Sequence, residues 1–171
     1  MRRLMILRHA KTEPAGHGPD FDRALAGRGL ANARAIGAYM KSQGYDPDFA
    51  AVSPARRAVE TWEKIAAELA KPPRAVFDPR IYNASENALL AVVHGIPRPH
   101  KSAVLVGHNP GFALLADMLA GSGSRQARER LAEKFATAAL AIIDFDAGDW
   151  KDVLPGEGRL REFVTPADLK S

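Results

Sequence analysis

The sequence predicts an α/β fold: a three-layer α/β/α sandwich around a central, mostly parallel six-stranded sheet. Three observations lead there. Short apolar runs alternate with segments whose apolar residues recur at helical spacing. The apolar runs are uniform rather than alternating, as in strands buried on both faces. A chain of 171 residues, 46% apolar and 26% charged, can bury a core without a disulfide or structural metal. No repeat, charge block or long linker divides it, so one domain is expected over residues 1–171.

The first strand is Leu4–Leu7. Leu30–Ser42 follows as a helix, with Leu30, Ala33, Ile36 and Met40 on one face and Gly44 as its stop signal. Phe49–Val52 is the second strand, and Ser53 is positioned to cap a helix from Pro54 to about Leu69, which Pro72-Pro73 ends. Ala75–Phe77 is a weak third strand. Ser85–Val93 reads as a helix capped by Ser85, Ala103–Val106 as the fourth strand and Gly111–Leu119 as the helix behind it. Ser124–Phe135, rich in charges of both signs, reads as a solvated helix; Ala138–Phe145 and Leu160–Val164 complete six strands.

Several classes of function are disfavoured. With no cysteine there is no disulfide framework, thiolate zinc site or cysteine nucleophile. The run after Met1-Arg2-Arg3 stops at Arg8, short of a secretion signal, and no run approaches the ~20 apolar residues of a membrane span. A cytoplasmic protein is therefore expected. Lys and Arg outnumber Asp and Glu by 24 to 20, but they are dispersed and no aromatic stacking motif accompanies them, which argues against nucleic acid. No phosphate-loop motif occurs, and Gly27-Arg28-Gly29 opens a helix without a preceding strand. His17, His94 and His100 lack metal-ligand spacing, so neither metal nor cofactor is expected.

In parallel α/β sheets ligands gather at the carboxyl ends of the strands. Strand one runs into Arg8-His9, strand two into Ser53-Pro54 and then Arg57, and strand four into Gly107-His108-Asn109. An arginine beside a strand-end histidine offers a bidentate fork for phosphate oxygens, and one on a first helical turn adds the positive helix end. Taken singly, each segment also reads as a strand-capping histidine or a solvated arginine.

Together and in this order, Arg8-His9, Ser53…Arg57-Ala58…Thr61 and Gly107-His108 resemble the histidine phosphatase superfamily, with its phosphoglycerate mutase-like fold. The resemblance spans nearly the whole chain. Ala10-Lys11 after His9, the stretch Asp20-Phe21-Asp22-Arg23-Ala24-Leu25 and His108-Asn109-Pro110-Gly111 are similar to the short SixA-type branch, the phosphohistidine phosphatases. The resemblance implies that His9 is a nucleophile that becomes transiently phosphorylated. Arg8, Arg57 and His108 then bind the phosphoryl group, with Asn109 beside them. Arg57 rather than Arg56 precedes the signature alanine and takes the inward role; Arg56 faces outward or meets a distal part of the substrate. The chemistry agrees, because an in-line nucleophile ringed by positive donors suffices for phosphoryl transfer without Mg²⁺. His9 must be neutral on its attacking nitrogen, which a hydrogen bond to the other nitrogen can enforce.

The general acid is the departure. Many relatives carry a Glu after the third strand, where this chain has Asn83. Asp20, Asp22, Glu13 and Glu86 are the candidates, and Asp20 is favoured because the loop after His9 can fold over the pocket. The chain lacks room for the helical insertions that cap other members. An open site suits phosphohistidine in a protein, whose distal ring nitrogen takes a proton near pH 6–7 and so eases departure. A small phosphoester is the alternative substrate, and a non-catalytic phosphoprotein-binding module the alternative of another class. A monomer is expected, with a phosphorylated substrate as its only partner.

Overall fold

The computed structural model describes residues 1–170; Ser171, the end of the expected domain, lies outside them. Seven strands form one sheet: β1 (Arg2–Arg8), β2 (Phe49–Val52), β3 (Ala75–Phe77), β4 (Ser102–Gly107), β5 (Ala120–Gly123), β6 (Leu140–Phe145) and β7 (Gly158–Val164). Their order is β3-β2-β4-β1-β6-β7-β5. Only β6 runs against the rest, being antiparallel to both β1 and β7. Five helices complete the fold: α1 (Gly27–Gln43), α2 (Arg56–Ala66), α3 (Glu86–His94), α4 (Gly111–Leu119) and α5 (Arg125–Glu133).

The period-two geometry of a strand makes two cores of β1. Leu4 and Ile6 pack on one face with residues of α3, α4 and α5, including Leu89, Phe112 and Leu131. Met5 and Leu7 pack on the other with Ile36 and Met40 of α1 and Trp62 and Ile65 of α2. The chain is thus the expected α/β/α sandwich of phosphoglycerate mutase-like type.

The sheet has seven strands rather than six. Ala120–Gly123, Ala-Gly-Ser-Gly, has no strand propensity and was invisible to periodicity. It becomes β5 by pairing in parallel with β7 at the sheet edge, across a bulge. Small residues are required there, since a Cβ on Gly121 would lie 1.8 Å from the Gly156 carbonyl oxygen. Other boundaries moved as well. Helix α1 begins at Gly27, ahead of Leu30, and α2 spans Arg56–Ala66 rather than Pro54 to Leu69. Its N-cap is Ala55, not Ser53, whose hydroxyl is used elsewhere. Ala138 has a left-handed φ of 60° and cannot join β6, which starts at Leu140.

After His9 the chain makes a long loop before α1. A bridge between Thr12 and Leu25 closes it, and the Leu25 amide donates to Glu60 Oε1 of α2 at 2.8 Å. A 3-10 turn at Asp20–Asp22 forms its tip. The root is held by close packing, since a Cβ on Gly29 would lie 2.0 Å from the Lys11 carbonyl oxygen. Overpacking of this kind costs about 1–3 kcal/mol. Gly29→Ala should therefore lower the urea midpoint despite alanine's higher helix propensity, whereas Gly27→Ala, with nothing within 4 Å of its Cβ, should not. Equal midpoints for the two variants would contradict the packing.

Candidate active site

Strands β2, β4 and β1 are neighbours in the sheet, so their carboxyl ends lie side by side. Main-chain bonds continue past the strands and bind these ends together. The His9 amide donates to the Gly107 carbonyl at 2.9 Å and the Ser53 amide to that of Val106 at 2.9 Å. Parallel pairing thus delivers Arg8-His9, Ser53 and His108 to one place. Helix α2 adds Arg57 from its first turn.

His9 is buried, and its Nδ1 lies 2.8 Å from the Ala10 carbonyl oxygen. A carbonyl only accepts, so Nδ1 carries the proton and Nε2 keeps a free lone pair. Ala10 is itself held: its amide donates to Thr61 Oγ1 at 3.0 Å, and Thr61 donates to the Arg57 carbonyl at 2.7 Å. Burial pushes the His9 imidazole down to about 4; the Ala10 carbonyl opposes this, while Arg8, Arg57 and Arg23 reinforce it. His9 is therefore neutral at pH 7, with Nε2 unprotonated.

The His108 ring lies 5.3 Å from that of His9, centroid to centroid. Burial, followed by the neighbouring His9 and Arg57, pushes it down to about 3. In this environment the neutral form of His108 is favoured at pH 7. Its Nε2 is 2.7 Å from Ser53 Oγ, and its Nδ1 is buried without a partner.

Arg57 is buried, whereas Arg56 beside it is 57% exposed at its side chain and pairs with Glu60 at 3.5 Å. Arg57 donates to the Asp20 carbonyl at 2.8 Å and to Asp20 Oδ2 at 3.0 Å. Arg8 donates to the Phe135 carbonyl at 3.0 Å. Buried Nε atoms of Arg8, Arg23 and Arg57 have no partner, nor has His108 Nδ1. A concentration of unsatisfied buried donors around one neutral histidine is suited to an anion with several acceptor oxygens.

Of the four carboxylates considered as acid, only Asp20 bonds to this constellation. Tyr82 Oη donates to its Oδ2 at 3.0 Å, and Arg23 pairs with Oδ1 at 3.3 Å. Desolvation raises the Asp20 carboxyl, but the Tyr82 hydroxyl, Arg57 and Arg23 outweigh it and hold the group below its ordinary value. Glu13 and Asp22 line a hollow inside the loop that carries Asp20, and Glu86 lines a cavity of about 340 Å³ on the other flank of His108. Asn83, at the position sought for a Glu, has a left-handed φ of 54°, a conformation asparagine tolerates well.

Asn109 is engaged at both ends of its amide: Nδ2 donates to the Phe135 carbonyl at 2.8 Å and Oδ1 accepts from the Ala113 amide at 3.2 Å. Its amide thus bonds the first turn of α4 and the Phe135 carbonyl, while the residue lines the cavity on the flank of His108. Tyr82 and Arg23 are not marked as site residues by the sequence, although Arg23 sits in the Asp20–Leu25 stretch. Tyr82 stacks edge-on against the His108 ring at 5.4 Å and lies beneath the Arg57 guanidinium at 5.9 Å. A lone tyrosine after a 3-10 turn carries no sequence signal of that role. Among the described residues no group of three or more His, Asp or Glu converges as metal ligands, and no helix is long and apolar enough to cross a membrane. His94 bonds to the Val153 carbonyl and His100 faces Asp48.

The profile of the histidine phosphatase superfamily (branch 1) matches residues 4–82, which carry Arg8, His9, Ser53, Arg57 and Tyr82. This chain belongs to that superfamily. It is 31% identical to an uncharacterized protein of Mycobacterium tuberculosis across 94% of this chain and 99% of the relative. Among solved structures, the putative phosphohistidine phosphatase SixA from Agrobacterium tumefaciens superposes with a TM-score of 0.80 at 28% identity, covering 96% of this chain and 99% of that one. The corresponding putative SixA from Nakamurella multipartitia reaches 0.85 at 22% identity, over 96% of each chain, and shares the fold. His108 lies beyond the matched segment and is brought beside His9 through β4.

The two depressed histidines make the fold acid-sensitive. Between about pH 6.5 and the native values near 4 and 3, the unfolded chain binds protons that the native chain does not. Stability therefore falls as pH falls through this window, by up to about 1.4 kcal/mol per pH unit for each histidine. The urea midpoint should drop from pH 7 to pH 5, and replacing both His9 and His108 with Gln should flatten that slope. An unchanged slope in the double variant would contradict their buried neutral state.

Proposed function

We propose that this chain is a metal-independent phosphatase that works through a phosphohistidine on His9 and acts on phosphohistidine in proteins. The observation that carries the reading is the His9 imidazole. Its Nδ1–H is fixed on the Ala10 carbonyl, its Nε2 is unprotonated, and the charges of Arg8, Arg57 and Arg23 act on the ring. In the first step Nε2 forms a bond to phosphorus as the bond to the leaving group breaks in line. Arg8, Arg57 and the neutral His108 donate to the three equatorial oxygens, replacing the charge that a metal supplies in other phosphoryl-transfer sites. Water then attacks the phosphohistidine, releasing inorganic phosphate and restoring His9.

Asp20 serves as the proton donor in this scheme. In the free protein it is an internal anion on Arg57, Arg23 and Tyr82. A phosphoryl dianion taking Arg57 removes part of that stabilisation and adds negative charge, raising the Asp20 pKa so that it can carry a proton to the leaving atom. Its side chain is 54% exposed, so it can move to do so. The substrate assignment draws on the open flanks of the site and on the likeness to SixA phosphatases. An imidazole leaving group protonated on its distal nitrogen also needs little from such an acid.

His9→Ala should remove at least ~10³-fold of kcat on a phosphohistidine protein, with no phosphoenzyme trapped by rapid acid-free quenching. Arg57→Ala should cost roughly 10²–10³-fold and Arg56→Ala only a few-fold. Activity of the His9 variant near that of the wild type would sink the mechanism. Equal losses at Arg56 and Arg57 would reverse their assigned roles.

Across a leaving-group series, Asp20→Asn should slow alkyl phosphates selectively and leave aryl phosphates and phosphoimidazole compounds nearly untouched. An unchanged slope would remove Asp20 as donor. Preference for one small phosphoester over phosphohistidine proteins would overturn the substrate assignment while leaving His9 chemistry intact.

A further inference from the structure

Ser53 is fully buried at the end of β2, and its hydroxyl neither caps α2 nor reaches solvent. Its contacts are two: the Ala55 amide donates to Oγ at a long 3.3 Å, and His108 Nε2 lies 2.7 Å away. Since Ala55 is a donor, the hydroxyl proton has one acceptor in reach, the lone pair of Nε2. If Nε2 instead carried the ring proton, both the Ser53 hydroxyl hydrogen and the Nδ1 lone pair would be buried without partners. With the proton on Nδ1, only the Nδ1–H is left over. A buried unsatisfied polar group costs about 1–3 kcal/mol, so the count favours the second arrangement.

We propose that Ser53 is a positioning residue that sets the tautomer of His108, holding the ring proton on Nδ1 as a donor for a phosphoryl oxygen. The inference rests on the reading of this site as a phosphoryl site. It matters because His108 is neutral. An imidazolium donates from both nitrogens, whereas a neutral ring donates from one and repels an anion from the other. Without Ser53 the ring is free to adopt the Nε2–H form that free histidine prefers in water, which turns a lone pair toward the anion. Tyr82, packed edge-on against the ring, leaves Ser53 as the polar side chain that bonds it.

The test is nitrogen-15 NMR of the uniformly labelled protein, in which pyrrole-type and pyridine-type ring nitrogens resonate far apart. His108 is assigned by loss of its signals in His108→Gln. The wild type should show Nδ1 protonated and Nε2 bare, Ser53→Ala should shift His108 toward the Nε2–H form, and Ser53→Thr, which keeps the hydroxyl, should retain the wild-type pattern. In parallel, vanadate binding followed by the same spectra should weaken roughly 10- to 100-fold in Ser53→Ala, the loss of one hydrogen bond to a charged group. A wild-type His108 protonated on Nε2 overturns the proposal even if the variants do not fold, and so does equal vanadate affinity in the wild type and Ser53→Ala. Failure of the wild type to bind vanadate at all overturns the phosphoryl-site reading itself, and the role of Ser53 with it.

Discussion

A neutral histidine set among three arginines keeps one bare nitrogen, and the Ala10 carbonyl decides which. By accepting from Nδ1 it commits the lone pair of His9 to Nε2. The carbonyl is held in place because Thr61 grips the Ala10 amide and is itself bonded to the main chain of Arg57. His9 and the buried Arg57 are thereby linked through one threonine hydroxyl. Neutrality comes from burial and from the repulsion of Arg8, Arg57 and Arg23, the same cations that suit the site to an anion.

The arrangement strains the ordinary rules of a protein interior. Buried polar atoms are normally paired, yet four unpaired nitrogens belong to Arg8, Arg23, Arg57 and His108. Asp20 bonds the terminal guanidinium nitrogens of Arg57 and Arg23 but leaves their Nε atoms unpaired, and Tyr82 donates to the same carboxylate. The carboxylate sits on a half-exposed loop tip, whereas His9, Arg57 and His108 are buried.

Architecture explains why so compact a chain can build such a site. Three adjacent parallel strands bring their ends within main-chain hydrogen-bonding range, and each contributes a functional residue without an insertion. The loop closed by Thr12 and Leu25 supplies one flank, and the segment Asn83–Glu86 with the start of α4 supplies the other. Helices lie on the two faces of the sheet, and at its carboxyl end Asp20 of the loop bonds Arg57.

Much of this was legible in the sequence. Uniform apolar runs ending in Arg8-His9, in Ser53 and in Gly107-His108 determined the layered fold and pointed those residues at one edge, because strand burial and strand-end position follow from local pattern. The inward Arg57 and outward Arg56 followed from their place in the motif. What only the tertiary structure decided involves groups far apart in the chain. Ala-Gly-Ser-Gly became β5 because β7 offered it a partner. Ser53 was drawn from a helix cap to His108, the Asn109 amide to the Phe135 carbonyl, and Tyr82 to Asp20. A hydroxyl or amide takes whichever partner packing brings within about 3 Å, and that proximity is a property of the assembled sheet and helices rather than of neighbours in sequence.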